Sequence, residues 1–339
     1  MIITAYNVEK YLSQCLDSLV NQTLKNIEII VVNDASTDNS LAVMKEYQAR
    51  HHNLLVIDSK KNLGAASARN LGLRIAKGQY VAFADADDWV DIRMYEVMYR
   101  RASDDDADVL IADATVFYED SKSFGQFFDQ HIRQTLDPRL RTMPFELRSE
   151  PRVLLLELVA WTKLYKRSFL QEHAFYFEEG MNSYEDICFH FSVLVKATRI
   201  SLLDDALFFY RKNRPGQISA RTSRKVFEVF AVFEKIQENL VAWDAAADIW
   251  AMLVKTQLRQ FDWLLQDRVQ AHHKREFLAS VAQQFQMIPE GGFRNFARQA
   301  NPDELSKLFC MRRNWLYAYE QVVRPRWPQF PWLNILLHE

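Results

Sequence analysis

The sequence predicts an α/β protein, with a mostly parallel sheet flanked by helices and then a helical C-terminal region. Three observations carry that prediction. Short β-branched runs alternate with apolar residues at helical spacing, polar motifs recur just after those runs, and beyond about Ser219 the periodicity is almost purely helical to residue 287.

The elements follow in order. Residues 1–5 (MIITA) read as a strand, and Tyr11, Leu12, Cys15, Leu16, Leu19 and Val20 then fall on one helical face. Residues 27–32 (IEIIVV) give a second strand, followed by a helix from about Ser40 to Ala49, the strand NLLVID, a helix opening near Ala65 and the strand YVAFAD. From about Asp91 a helix precedes the buried strand ADVLIADATVFY, residues 107–118. A less regular section with Pro138, Pro144 and Pro151 leads into a helical face around LLLELVAWTKLYKRSFL. SYEDICFHFSVLVKA and the strand ISLLDDALFFYRKN close this part, and Phe227, Val229, Phe230, Phe233 and Ile236 then form one apolar stripe.

Composition narrows the function classes. With 49% hydrophobic and 25% charged residues in 339, the chain has the make-up of a soluble globular protein. Lys plus Arg (42) against Asp plus Glu (44) gives a net charge of -2, so no basic field marks a nucleic-acid partner. Three widely spaced cysteines argue against a disulfide framework or a zinc site. No apolar run has the roughly 18–20 residues that span a bilayer, and no charged segment precedes an apolar one at the start, so a cytoplasmic location is expected.

In open parallel sheets, ligands bind outside the carboxyl ends of the strands, where loops and helix N-termini converge. Asn33-Asp34, Asn62-Leu63-Gly64 and Asp85 to Asp88 all fall at that edge. The acidic cluster has three readings. It is a solvated turn, a calcium loop, or a site for a hard divalent cation shared with a diphosphate. The calcium loop lacks its central glycine in DADDWVDIRMYE.

Context favours the last reading. IITAYNVEKYLSQCLDSLVNQTLKNIEIIVVNDASTDNS, NLGAASARNLGLRIAKGQYVAFADADDW, AWTKLYKRSF and SYED, in that order, resemble the family 2 glycosyltransferases, enzymes of GT-A (Rossmann-like) fold typified by bacterial polysaccharide synthesis. The resemblance covers about residues 1–220. It implies a GT-A catalytic domain over 1–220, with a nucleotide-binding half of about 1–92 and an acceptor-side half of about 93–220, before a helical region over 221–339.

The resemblance also implies roles. Asp34 matches the acceptor of the uracil N3–H, which suits a UDP-type donor, and Thr4 and Tyr6 match the strand exit beside the base. Asp85 resembles the residue that bonds the ribose, and with Asp87 it would hold a divalent metal, Mn²⁺ or Mg²⁺, while Asp88 supports both. Arg69 would reach a donor phosphate or pair with an aspartate, and Arg211 or Arg214 would reach the diphosphate. Asp186 resembles the base that takes the acceptor hydroxyl's proton, and Trp161, Lys163, Tyr165 and Glu185 resemble acceptor-side residues. Thr4 stands where a proline is common; Ala35 stands where glycine is common and Ile92 where a proline often follows the acidic motif, and neither of these two removes a polar group.

The expected activity is inverting, metal-dependent transfer from a nucleotide-sugar donor to a saccharide or lipid-linked saccharide in bacterial surface polysaccharide synthesis. The rivals are a silent sugar-nucleotide-binding subunit and a nucleotidyltransferase. The latter lacks its Gly-rich loop, since TAYNVEKY carries no glycine. Residues 311–339 mix arginines with tryptophan, tyrosine and phenylalanine, which suits either peripheral contact with the inner face of the cell membrane or a packed helical subdomain.

Overall fold

The computed structural model describes residues 1–181, 183–215 and 224–323. The chain forms two compact units, Met1–Ala220 and Arg221–Glu339. The boundary expected near 220 lies outside the described residues.

The first unit opens with β1 (Ile2–Ala5), α1 (Glu9–Val20), β2 (Ile29–Asn33), α2 (Ser40–Arg50), β3 (Leu54–Asp58), α3 (Ala65–Ile75) and β4 (Tyr80–Asp85). These four strands are parallel in the order β3-β2-β1-β4. All five residues of β2 are buried, as expected for a strand covered on both faces. The stripe read from the sequence explains the packing of α1, which buries Leu12, Cys15, Leu16 and Leu19. Helix α3 lies so close to β1 that a Cβ on Gly72 would meet Ile2 Cγ2 at 2.5 Å. Only glycine allows that approach, and the approach sets the depth at which α3 carries Arg69 over the sheet edge.

The second half of the unit adds β5 (Trp89–Val90), α4 (Met94–Asp104), β6 (Val109–Tyr118), β7 (Ser123–Gln126), α5 (Gln130–Arg133), β8 (Lys163–Lys166), α6 (Arg167–Glu172), α7 (Glu185–Lys196) and β9 (Ile200–Lys212). Strand β8 lies antiparallel between β4 and β6, and β9 runs parallel to β6. Short β5 pairs antiparallel with β9, and β7 with β6. The helical face expected around LLLELVAWTKLYKRSFL is corrected here. Pro151–Leu155 makes a short 3-10 turn and α6 follows, but the middle of the segment is β8. Pairing with two remote strands overrides a local pattern that fits a helix equally well.

The second unit contains α8 (Glu228–Ala242), α9 (Ala247–Asp267), α10 (Lys274–Gln286), α11 (Glu290–Gln299), α12 (Pro302–Arg312) and α13 (Leu316–Val322). Its apolar stripe buries Val229, Phe233 and Ile236. Helical structure extends past residue 287, and α12 starts on a capping box in which Asn301 and Glu304 satisfy each other's backbone N–H, with Pro302 at the first turn. In the aromatic segment, Tyr317 is exposed, while Tyr319 is buried with its hydroxyl 2.6 Å from Asp262 Oδ1. Arg324, Arg326, Trp327, Phe330 and Trp332 lie outside the described residues. Among the described residues, no helix is long and apolar enough to cross a membrane.

Candidate active site

The carboxyl ends of β1, β2 and β4 bring the first candidates together. Thr4 pairs with Val32 on one side and Asp85 on the other, and Tyr6, just beyond β1, is 47% exposed. Asp34 is buried, and its Oδ1 and Oδ2 accept the backbone N–H of Leu63 at 2.7 Å and Gly64 at 3.0 Å. Asn62 Nδ2 donates to the Asp34 carbonyl at 3.2 Å, so the loop after β3 is tied to the loop after β2. Gly64, at φ 83°, caps α3 in a conformation that side chains rarely adopt. Ala35 also sits in the left-handed region, at φ 57°, where the sequence departs from the common glycine.

The turn after β4 gathers negative charge. Asp87 is paired with the Arg214 guanidinium. Burial raises its carboxyl above the usual range, and Arg214 opposes that shift. Asp88 is more deeply buried. Its Oδ1 accepts the Arg211 backbone N–H at 2.7 Å, and among the described residues its Oδ2 has no hydrogen-bond partner. Burial, with Asp87 and Asp85 beside it, pushes its pKa well up. Beneath the turn, Cys15 Sγ lies 3.8 Å from the Asp85 carbonyl, and burial followed by the three aspartates raises its thiol well above the ordinary value.

Arg211 was expected at a diphosphate, and the structure places it under the turn instead. It is buried, its Nε donates to the Asp87 carbonyl at 2.7 Å, and its terminal nitrogens reach Gln14 Oε1 at 2.6 Å and the Glu119 carboxylate. The guanidinium also lies over the rings of Trp89 (4.7 Å) and Tyr11 (4.8 Å). It holds the backbone of the acidic turn and does not face outward. Arg214 reaches the Asp87 side chain directly.

Arg69 faces the turn from α3. One terminal nitrogen donates to Glu185 Oε1 at 2.7 Å and Asp186 Oδ1 at 2.9 Å, and the other to Asp85 Oδ1 at 3.0 Å. The guanidinium is only 4% exposed and lies 5.2 Å from the Phe177 ring centroid. Glu185 and Asp186 open α7, after Tyr184 in the left-handed region at φ 63°. Burial raises the Asp186 carboxyl to about 7; Arg69 pulls it down, while Glu185 and Asp85 push it further up. Asp186 therefore still titrates near neutrality, which suits a general base.

Trp161 is corrected. Its indole is buried, stacked on Phe208 (centroids 4.2 Å) and Tyr210 (5.4 Å), so it is part of the core and presents no face to a sugar. Glu185, expected on the acceptor side, is turned onto Arg69.

One contributor, Asn70, escaped the sequence reading, and another, Lys163, has a different place from the acceptor side expected of it. Asn70 clamps the Phe177 backbone, donating to its carbonyl at 2.8 Å and accepting its N–H at 2.9 Å; adjacency to Arg69 in ARN was the available signal. Buried Lys163 donates to the carbonyls of Glu157 (2.9 Å) and Val159. Burial lowers its pKa to about 7, with Asp129 and Asp186 opposing the shift. Nothing in TKLYK signals a buried ammonium.

The mixed sheet with its flanking helices matches the fold of GT-A glycosyltransferases. The model of glycosyl transferase family 2 matches residues 1–173, and the chain belongs to that family. It is 33% identical over 246 residues to EpsH of Bacillus subtilis, covering 70% of this chain and 69% of EpsH. It is also 29% identical over 232 residues to the poly(ribitol-phosphate) beta-N-acetylglucosaminyltransferase TarS of Staphylococcus aureus, covering 64% of this chain and 36% of TarS. Residues 1–349 of TarS, solved in complex with UDP-GlcNAc, superpose with TM-score 0.74 at 22% identity over 95% of this chain and 89% of that one. A mannosyltransferase of Pyrobaculum calidifontis, solved with GDP-Man and Mn²⁺, gives TM-score 0.55 at 17% identity over 95% of this chain and 84% of that one.

Proposed function

We propose that this chain is an inverting, metal-dependent glycosyltransferase. It moves a sugar from a UDP-type donor to a hydroxyl of a saccharide or lipid-linked saccharide in the synthesis of a bacterial surface polymer. One observation carries the reading: the Asp85–Asp88 turn and the acid pair Glu185–Asp186 face each other across the Arg69 guanidinium. One side can bind a donor while the other takes a proton.

The residues present fit a divalent cation. Asp87 is a half-buried carboxylate already paired with a cationic group, and Asp88 Oδ2 is buried without a hydrogen-bond partner among the described residues. Among the described residues, no three His, Cys, Asp or Glu side chains converge as an all-protein metal site. A cation held by Asp87 and Asp85 would complete its shell from phosphate oxygens and water, as Mg²⁺-type ions commonly do. When bound it supplies positive charge to the departing diphosphate.

This chain's residues supply the rest. The Asp34 carboxylate keeps lone pairs beyond those on Leu63 and Gly64, and a uracil N3–H is a fitting donor to them. Asp186 accepts the acceptor hydroxyl's proton as that oxygen bonds the anomeric carbon. The bond from that carbon to the diphosphate oxygen breaks at the same time, and its electron pair leaves with UDP. Attack opposite the leaving group inverts the centre. The structure of TarS with UDP-GlcNAc supports the donor class, and the name of TarS supports a β-linked product.

The test is calorimetric titration with UDP, GDP, CDP and dTDP, each with Mn²⁺ and with EDTA, followed by UDP release from a panel of UDP-sugars. Metal-dependent binding selective for UDP, with turnover of at least one UDP-sugar, is expected. Binding without turnover would favour the silent subunit, and no nucleotide binding would overturn the reading.

A further inference from the structure

The three bonds of Arg69 join parts of the site that chemistry treats separately. Asp85 stands on the donor side, at the end of β4, whereas Glu185 and Asp186 open α7 about 100 residues later in sequence. Arg69 Nε has no partner among the described residues, so the guanidinium is aimed by carboxylates at its two terminal nitrogens alone. Its position is fixed from below. Phe177 lies under the guanidinium, and Asn70, the next residue of α3, holds Phe177 by both backbone groups. Buried charge-assisted bonds of this kind transmit position, because moving one carboxylate leaves the guanidinium and its other partners poorly matched.

We propose that Arg69 is a positioning residue that couples the donor-side Asp85 to the base Asp186, with Glu185 acting through Arg69. The inference rests on the transferase reading above. All the donors of Arg69 that are satisfied in this structure are spent on carboxylates, so its contribution belongs to the alignment of donor and base more than to the grip on a phosphate. A guanidinium that bridges three acids in a fixed fork is also poorly replaced by a single ammonium.

The experiment uses the full chain and the UDP-sugar it turns over best. UDP affinity with Mn²⁺ is measured by calorimetry, and kcat and KM by UDP release, for wild type, R69Q, R69K, E185Q and R69Q/E185Q. The expected result is a kcat at least 100-fold lower in R69Q, with UDP affinity within about threefold of wild type and only partial rescue by R69K. E185Q should lower kcat at least tenfold alone and add less than twofold in the R69Q background, because groups acting as a unit are not additive.

A loss of UDP affinity of 30-fold or more in R69Q with kcat kept would make Arg69 a diphosphate ligand and overturn the coupling. Additive effects of R69Q and E185Q would overturn it as well. R69K and E185Q provide the same reading should R69Q fail to fold: an R69K enzyme whose kcat and KM both match wild type would sink the proposal. If the wild type itself neither bound UDP nor released it, the transferase reading would fall and the coupling with it. Failure of the variants alone leaves the transferase reading standing.

Discussion

Asp34 and Asp87 sit beyond strands on either side of β1, and they are held by different chemistry. The Asp34 carboxylate rests on backbone N–H groups of Leu63 and Gly64, dipoles that exist whenever the loop is folded. Asp87 rests on the side chain of Arg214, and Asp186 across the site shares the side chain of Arg69. A carboxylate held by backbone is released only when its loop rearranges, whereas one held by a cationic side chain, as Asp87 is by Arg214, can exchange it for another cation. The first arrangement suits recognition of a neutral base, and the second suits a partner that carries charge in and out.

The largest effect should come from the charge-held side. Asp186→Asn is expected to slow transfer by about 10²–10⁴-fold, or roughly 3–5 kcal/mol of barrier, measured as initial rates of UDP release. In the wild type, kcat should fall as pH drops below about 7, where the base protonates. The stability sign is the opposite. The folded pKa of Asp186 lies above its ordinary value, so its stabilising contribution is complete at low pH and is lost as pH rises through about 7. At pH 8, D186N should therefore unfold at a temperature no lower than wild type. A clear loss there would show that the Asp186 charge, once formed, is structural.

Asp87→Ala comes next. It removes the partner of Arg214 and the predicted metal ligand, and UDP binding with Mn²⁺ should weaken by about 1.5–3 kcal/mol. Binding with EDTA should hardly change; equal losses under both conditions would remove the metal from Asp87.

On the backbone-held side, Asp34→Asn should cost UDP binding about 1.5 kcal/mol and lower the unfolding temperature. An amide can accept on one end only, so it leaves the Leu63 or the Gly64 N–H facing a donor. CDP binding should be much less affected than UDP binding. The smallest effect is a gain. Ala35→Gly should stabilise the protein by about 0.5–1 kcal/mol, since alanine at φ 57° is strained and glycine is not. A fall in the unfolding temperature would mean that the Ala35 methyl group packs usefully.

The half of the sheet that is built locally was the half legible in the sequence. Each of β1 to β3 is followed by its own helix and leads to the next strand, so period and order together fix the parallel arrangement of β1 to β4, and the polar residues after each strand fall at one edge. What followed was legible in motifs and less so in structure. Strand β8 takes its identity from β4 and β6, and β5 and β7, with 2 and 4 residues, are too short to carry a period. Asp186 can be singled out because SYED, after the upstream motifs, resembles a segment of the family, and the structure brings it to Asp85 through Arg69. Trp161 and Arg211 could not be placed, because a tryptophan or an arginine near a motif looks the same whether it faces a ligand or lies beneath it. Burial decides the matter, and burial here depends on strands paired across more than 90 residues.

Cys15 turns the acidic turn into something that can be timed. Its thiol is buried under Asp85, Asp87 and Asp88, and both burial and those charges suppress the reactive thiolate. While the turn is closed, a thiol-directed reagent has neither access nor a nucleophile to meet. Labelling of Cys15 then reports how often its cover opens, and gives the opening rate itself where the reagent reacts faster than the cover recloses. A ligand that clamps the turn would register as a slower clock, with no chromophore added and no knowledge of the sugar required.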